Sequence, residues 1–164
     1  MAENDTRTYA DERRRLIGQL EKDRAQLLRN IETCRIRDIE SPIVGEWSLK
    51  DIVGHISYWE TTVTANLIDL REGKDTSSQI FTISESELQL LNEENVSRRR
   101  PDLFWQLLDE LNEGRSKLMS EVSLLTDNDL GEDGTKERDL VSAVFMHDRE
   151  HWRLIAAYLA GLGG

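Results

Sequence analysis

Apolar residues recur at helical spacing along four long stretches of this chain, and that periodicity constrains its fold more than any other feature. From Asp5 to about Arg35 they fall at Tyr9, Leu16, Leu20, Leu27 and Ile31, with charged residues crowding the opposite face. A second stripe, from Leu49 to about Arg71, runs through Ile52, His55 or Ile56, Trp59, Val63 and Leu67. The third starts at Pro101 and reaches about Leu125, with Phe104, Leu107, Leu108, Leu111, Leu118 and Val122 on its apolar face. The last spans about Arg138 to Ala160 and carries Leu140, Val144, His147, His151, Leu154 and Tyr158. No strand-like alternation persists for more than a few residues, and no internal repeat is visible.

Local chemistry marks where these helices begin and end. Ser48 with Asp51, and Ser84 with Glu87, have the spacing at which a hydroxyl and a carboxylate cap a helix start reciprocally. The second box opens a shorter helix through Leu88, Leu91 and Val96. Thr126-Asp127-Asn128-Asp129 reads as another cap before a brief turn, with a loop from Gly131 to Lys136. Ser41-Pro42-Ile43-Val44-Gly45 reads as a connector. Gly73 and Gly161 are expected helix stops, Pro101 a helix start, and Gly114 a point of close packing or weakness. The expected fold is all-α: a four-helix bundle with one short extra helix, as a single domain over residues 1–164. The polar crossover at 72–83 leaves room for the second and third long helices to run parallel.

Charge narrows the partners. The 164 residues include 32 acidic and 21 basic side chains, a formal charge of −11. That disfavours nucleic acid, whose phosphates attract basic surfaces, and Arg98-Arg99-Arg100 reads as a solvated run. Cys34 is the sole cysteine, expected as a small buried residue at the end of the first stripe. With no intrachain disulfide, no apolar run of about 20 residues and a polar start from Met1 to Tyr9, a cytoplasmic protein without a membrane span is expected.

Two of the three histidines, His147 and His151, interrupt the apolar face of the last helix four residues apart. That spacing sets both imidazoles on one side of a helix, able to converge on a divalent cation. A buried imidazole costs free energy unless its nitrogens find partners, and a shared metal supplies them. His55, one turn into the second helix, is the proposed third ligand; hydrogen-bonded burial is the alternative for it. Asp51 is read chiefly as a cap and secondarily as a partner orienting His55. Asp148 and Glu150 are read as solvated ion-pairing residues. Trp59, Trp105 and Trp152 are read as packing residues, and Trp47 as the one to test as a pocket wall.

Trp47-Ser48-Leu49-Lys50-Asp51-Ile52-Val53-Gly54-His55-Ile56-Ser57-Tyr58-Trp59-Glu60 resembles the second-helix signature of DinB-like proteins. His147-x-x-x-His151 resembles the C-terminal motif of that superfamily, and Leu91-Asn92-Glu93-Glu94-Asn95 is similar to a common mid-chain feature. The resemblance implies a four-helix bundle holding a divalent metal, commonly nickel or zinc, through His55, His147 and His151. Imidazole ligands also accept iron or manganese. It further implies a transferase or isomerase using a low-molecular-weight thiol; a metal that lowers the pKa of a bound water makes a hydrolase acting on a small molecule the other expectation. A non-catalytic metal or ligand carrier and a structural homodimer with merely buried histidines are the competing expectations. No serine or cysteine nucleophile paired with histidine is evident, no general base is identified, and loops 37–47, 72–83 and 131–138 are expected to set specificity.

Overall fold

The computed structural model describes residues 8–74 and 83–162. Six α-helices carry the chain among these residues: α1 (Tyr9–Thr33), α2 (Leu49–Arg71), α3 (Glu85–Arg99), α4 (Phe104–Ser123), α5 (Asp127–Gly131) and α6 (Lys136–Leu162). Between α1 and α2 lie a 3₁₀ turn at Ile36–Ile39 and an antiparallel hairpin of β1 (Pro42–Val44) with β2 (Trp47–Ser48). The expected connector is thus a short hairpin, with Gly45 at φ 57 in its turn, a conformation that glycine adopts without steric cost.

The caps form as the local chemistry dictates. Ser48 accepts from the Asp51 backbone N–H while the Asp51 carboxylate accepts from the Ser48 N–H, and Ser84 with Glu87 and Thr126 with Asp129 repeat the arrangement. Thr8 and Asp11 cap α1 in the same way, while the expected helical residues Asp5 to Arg7 fall outside the described part. Gly73, at φ 71, ends α2 as expected. Two expectations fail. Pro101 lies in a turn and α4 begins at Phe104, after Leu103, which offers no side-chain cap. Gly161 sits inside α6, which runs on to Leu162 because nothing there forces a left-handed residue. Among the described residues the extra helices number two, α3 and α5, where one was expected.

Two apolar clusters form the core. Leu20, Val63, Leu67, Leu118, Val122 and Val144 belong to one; Leu27, Ile52, Ile56, Leu107, Leu111 and Ile155 belong to the other. The order in which each helix meets them fixes its direction. The chain passes from the first cluster to the second along α1 and α6, and from the second to the first along α2 and α4. Consequently α2 and α4 run parallel, as the long crossover allows, and both oppose α1 and α6. The principal packed pairs are α2 with α4 and α1 with α6, while α2 also meets α6 and α3 packs on α2.

At the boundary between the clusters each long helix contributes one charge to a shared network: buried Arg24, Glu60 and Asp148, and partly buried Arg115. Arg24 reaches Asp148 through two nitrogens at 3.1 Å each and Glu60 at 2.5 Å. Arg115 donates to Glu60, to Asp148 at 2.8 Å and to the Leu20 carbonyl at 2.9 Å. Two guanidiniums and two carboxylates balance, as burial of charge requires. Asp148, read from sequence as solvated, is 1% exposed.

Glycine matters at one contact. A Cβ on Gly131 would stand 2.4 Å from the Tyr9 Cα, so only glycine lets the end of α5 press against the start of α1. Gly114 has nothing within 4 Å of the corresponding point, so close packing is not its role. The Tyr9 side chain, expected on the buried stripe, is largely exposed, as is Trp105. Cys34 is half-buried and caps α1, its thiol donating to the Asn30 carbonyl at 3.4 Å. No helix among the described residues is long and apolar enough to cross a membrane.

Candidate metal centre

The three histidines meet. The Ser48–Asp51 cap sets the start of α2, which places His55 on the face turned towards α6. The helical spacing of four then brings both His147 and His151 to that side. Nε2 of His147 stands 3.0 Å from Nε2 of His55 and 3.0 Å from Nε2 of His151. All three candidate ligand atoms lie within 4.8 Å of one another.

Hydrogen bonding alone does not account for this cluster. A ring nitrogen holds either one hydrogen or one in-plane lone pair, so Nε2 of His147 satisfies one such neighbour and not two. Adding protons would require charge in a buried place. Burial pushes the His55 ring down to about 2, with His147 and His151 adding to the shift. It lowers His151 to about 3, again with His147 contributing. His147 falls to about 4, burial outweighing the opposing pull of Asp148, while Arg24 lowers it further. At neutral pH all three rings are uncharged and their lone pairs are available.

A divalent cation fits the donor set. Three neutral imidazoles whose candidate ligand atoms lie within 4.8 Å of one another are a donor set that would hold such an ion. Imidazole is an accepted ligand of nickel, zinc and iron. Three protein ligands leave further positions open, as catalytic sites do.

What holds the rings is chiefly packing. The Trp47 ring lies 4.8 Å from the His55 ring between centroids, so the expected pocket wall is in place. Buried Nδ1 of His55 has no hydrogen-bond partner among the described residues. Asp51, the alternative orienting group, serves its cap and approaches Arg100 at 3.6 Å instead.

The three rings line a cavity of about 1420 Å³ walled by Trp47, Ile52 and Trp59 of the hairpin and α2, by Leu88 and Asn92 of α3, and by Met146 and Leu154 of α6. That role explains why Met146 and Leu154 remain 59% and 40% exposed although they are large and apolar. Glu150 is exposed on the same wall.

Sequence reading alone missed the charged layer beside this centre. A signal for it exists. Arg24 follows Leu20 by four residues and precedes Leu27 by three; Glu60 stands likewise between Ile56 and Val63, and Arg115 between Leu111 and Leu118. A charge at a core position of a stripe needs a buried partner of opposite sign; these three interruptions, with Asp148 between Val144 and His151, amount to a matched set on four helices. Asn92 was named only within a motif; its link to Trp59 carries no signature at short range.

No family model matches the sequence, and no curated protein does. Among solved structures, an uncharacterised protein from Escherichia coli UTI89 superposes with a TM-score of 0.79 over 96% of this chain and 95% of that one, at 14% identity. The two share a fold. At that identity the likeness carries nothing about chemistry.

Proposed function

We propose that the chain is a DinB-like four-helix bundle in which His55, His147 and His151 hold one divalent metal, nickel or zinc foremost, with iron and manganese within the same ligand chemistry. We infer further that it acts on a small molecule, as a thiol-dependent transferase or as a hydrolase. The observation that carries this reading is the convergence of three uncharged imidazoles, with Nε2 of His147 at 3.0 Å from Nε2 of both His55 and His151, where a single hydrogen or lone pair cannot be aimed at two neighbours at once. A metal bound there supplies Lewis-acid activation of a thiol or of water.

The chain's own residues supply the rest. His55 and the α6 histidines orient their lone pairs to one point, and Trp47 fixes the His55 ring from outside. Trp47, Ile52, Trp59 and Met146 offer an apolar wall against which an apolar body would pack. Glu60 and Asp148 are each engaged by both Arg24 and Arg115, so neither is free to shuttle protons.

The test is elemental analysis of protein purified without a histidine tag, followed by metal titration. One divalent ion per chain is expected, with affinity falling more than about a hundredfold in His147→Ala, beyond what losing an outer partner of a ligand costs. Stoichiometric binding at undiminished affinity by that variant sinks the ligand set. Turnover with thiols and electrophiles then separates an enzyme from a metal or ligand carrier.

A further inference from the structure

We propose that Asn92 is a substrate-positioning residue, and that the small molecule taken by the cavity carries a hydrogen-bond-accepting oxygen, carbonyl or carboxylate, beside an apolar body. This deepens the proposed function, on which the reaction at the histidines rests, but the binding step itself requires no metal.

Two observations meet at this residue. The indole Nε1 of Trp59 donates to Oδ1 of Asn92 at 2.7 Å. An indole nitrogen is a donor only, so this bond decides which end of the amide is oxygen, an assignment that otherwise rests on choice. The –NH₂ end is therefore set, and it meets no protein acceptor among the described residues. Asn92 also lines the cavity that the three histidines share. Trp59 stands four residues after His55 on α2, one turn along the same face. The amide thus presents two oriented donors to the cavity that the metal centre opens into, across an apolar span formed by Trp59, Ile52 and Met146.

The charge on the cavity rim allows either form of oxygen. Arg153 of α6 lines the same cavity, is exposed, and has no carboxylate partner among the described residues; its guanidinium lies 5.5 Å over the Trp152 ring. A carboxylate would gain from Arg153 as well as Asn92, whereas a neutral carbonyl would use Asn92 alone. Structurally, Asn92 is also one tie between α3 and α2. Asn92→Asp separates the two roles. An aspartate keeps the acceptor for Trp59 but replaces the two donors with a second acceptor, which repels a ligand oxygen.

The experiment follows side-chain amide signals by nitrogen–proton NMR, on metal-free protein and again with one equivalent of zinc. The probes are 3-phenylpropanamide, 3-phenylpropionate and, lacking an acceptor oxygen, 3-phenylpropylamine. The Asn92 amide pair, assigned by its disappearance in Asn92→Asp, is expected to shift on titration with the amide and the carboxylate but not with the amine. Affinity for both oxygen-bearing probes is expected to fall about tenfold or more in Asn92→Asp, the scale of one net hydrogen bond turned repulsive, with the thermal midpoint unchanged. A carboxylate affinity that also falls in Arg153→Ala assigns the anion as the preferred form; an unchanged one assigns the neutral carbonyl. Equal response to the amine, an unmoved Asn92 signal, or an Asn92→Asp protein that binds the oxygen-bearing probes as well as the parent overturns the proposal. Failure to retain zinc with intact probe binding would instead overturn the metal reading and leave this one standing.

Discussion

Removing one carboxylate from the buried charged layer, by Asp148→Ala, should cost far more than an ordinary ion pair. Asp148 accepts from Arg24 twice at 3.1 Å and from Arg115 at 2.8 Å, and its own exposure is 1%. Its loss leaves two guanidiniums facing Glu60 alone. Breaking a buried pair from one side costs about 3–5 kcal/mol, because a charge stays buried without compensation. For a chain of 164 residues, at about 2–4 °C per kcal/mol, the thermal midpoint should fall by about 6–20 °C. Urea unfolding followed by far-ultraviolet circular dichroism, in chelator so that metal plays no part, measures the loss directly. Arg115→Met placed on the Asp148→Ala background should cost less than it does alone, since the repulsion it relieves is then present. Replacing all four with apolar residues of similar volume should leave stability unchanged or raise it by about 1–4 kcal/mol. A loss under about 1 kcal/mol for Asp148→Ala, the size of an exposed pair, would refute the reasoning.

Three further outcomes follow from the geometry. Since burial holds His55, His151 and His147 at about 2, 3 and 4, against about 6.5 when unfolded, the metal-free protein should lose stability as pH falls below about 6.5, the contribution of His147 ending near pH 4, that of His151 near pH 3 and that of His55 near pH 2; urea unfolding across that range reads it out. By the same values, zinc binding at about pH 5.5 should release almost no protons, where three ordinary histidines would release about 2.7; calorimetry in two buffers of different ionisation enthalpy distinguishes these, and a release above about one proton contradicts the burial. Gly131→Ala should destabilise by about 1–3 kcal/mol through its clash with the Tyr9 backbone, whereas Gly114→Ala, with open space around it, should stabilise by up to about 1 kcal/mol. Thermal unfolding of both reads out the contrast, and equal effects at the two positions would contradict it.

Much of the centre was legible because its determinants are short-range. A hydroxyl three residues from a carboxylate caps a helix whatever surrounds it, so the starts of α2 and α3 could be read at Ser48 and Ser84. His147 and His151 share a face for a reason internal to one helix. Trp47, two residues outside α2, could be placed near His55 because the cap fixes how the chain enters. Pro101 and Gly161 misled because each permits a helix boundary without enforcing one. Proline is tolerated in a turn as readily as at a helix start, and a glycine in an exposed last turn costs only about 1 kcal/mol.

By itself, then, the sequence determined the helices, their caps and the apolar stripes, since each depends on contacts within a few residues. Only the tertiary structure decided that His55 meets a residue 92 positions away, that four isolated charges neutralise one another, and that Trp59 donates to the Asn92 side chain. Those pairings depend on the order and direction in which four helices close over two apolar clusters. That closure is driven by non-directional burial of apolar surface: a charge or imidazole on an apolar stripe shows that it needs a partner, but not which distant residue it meets.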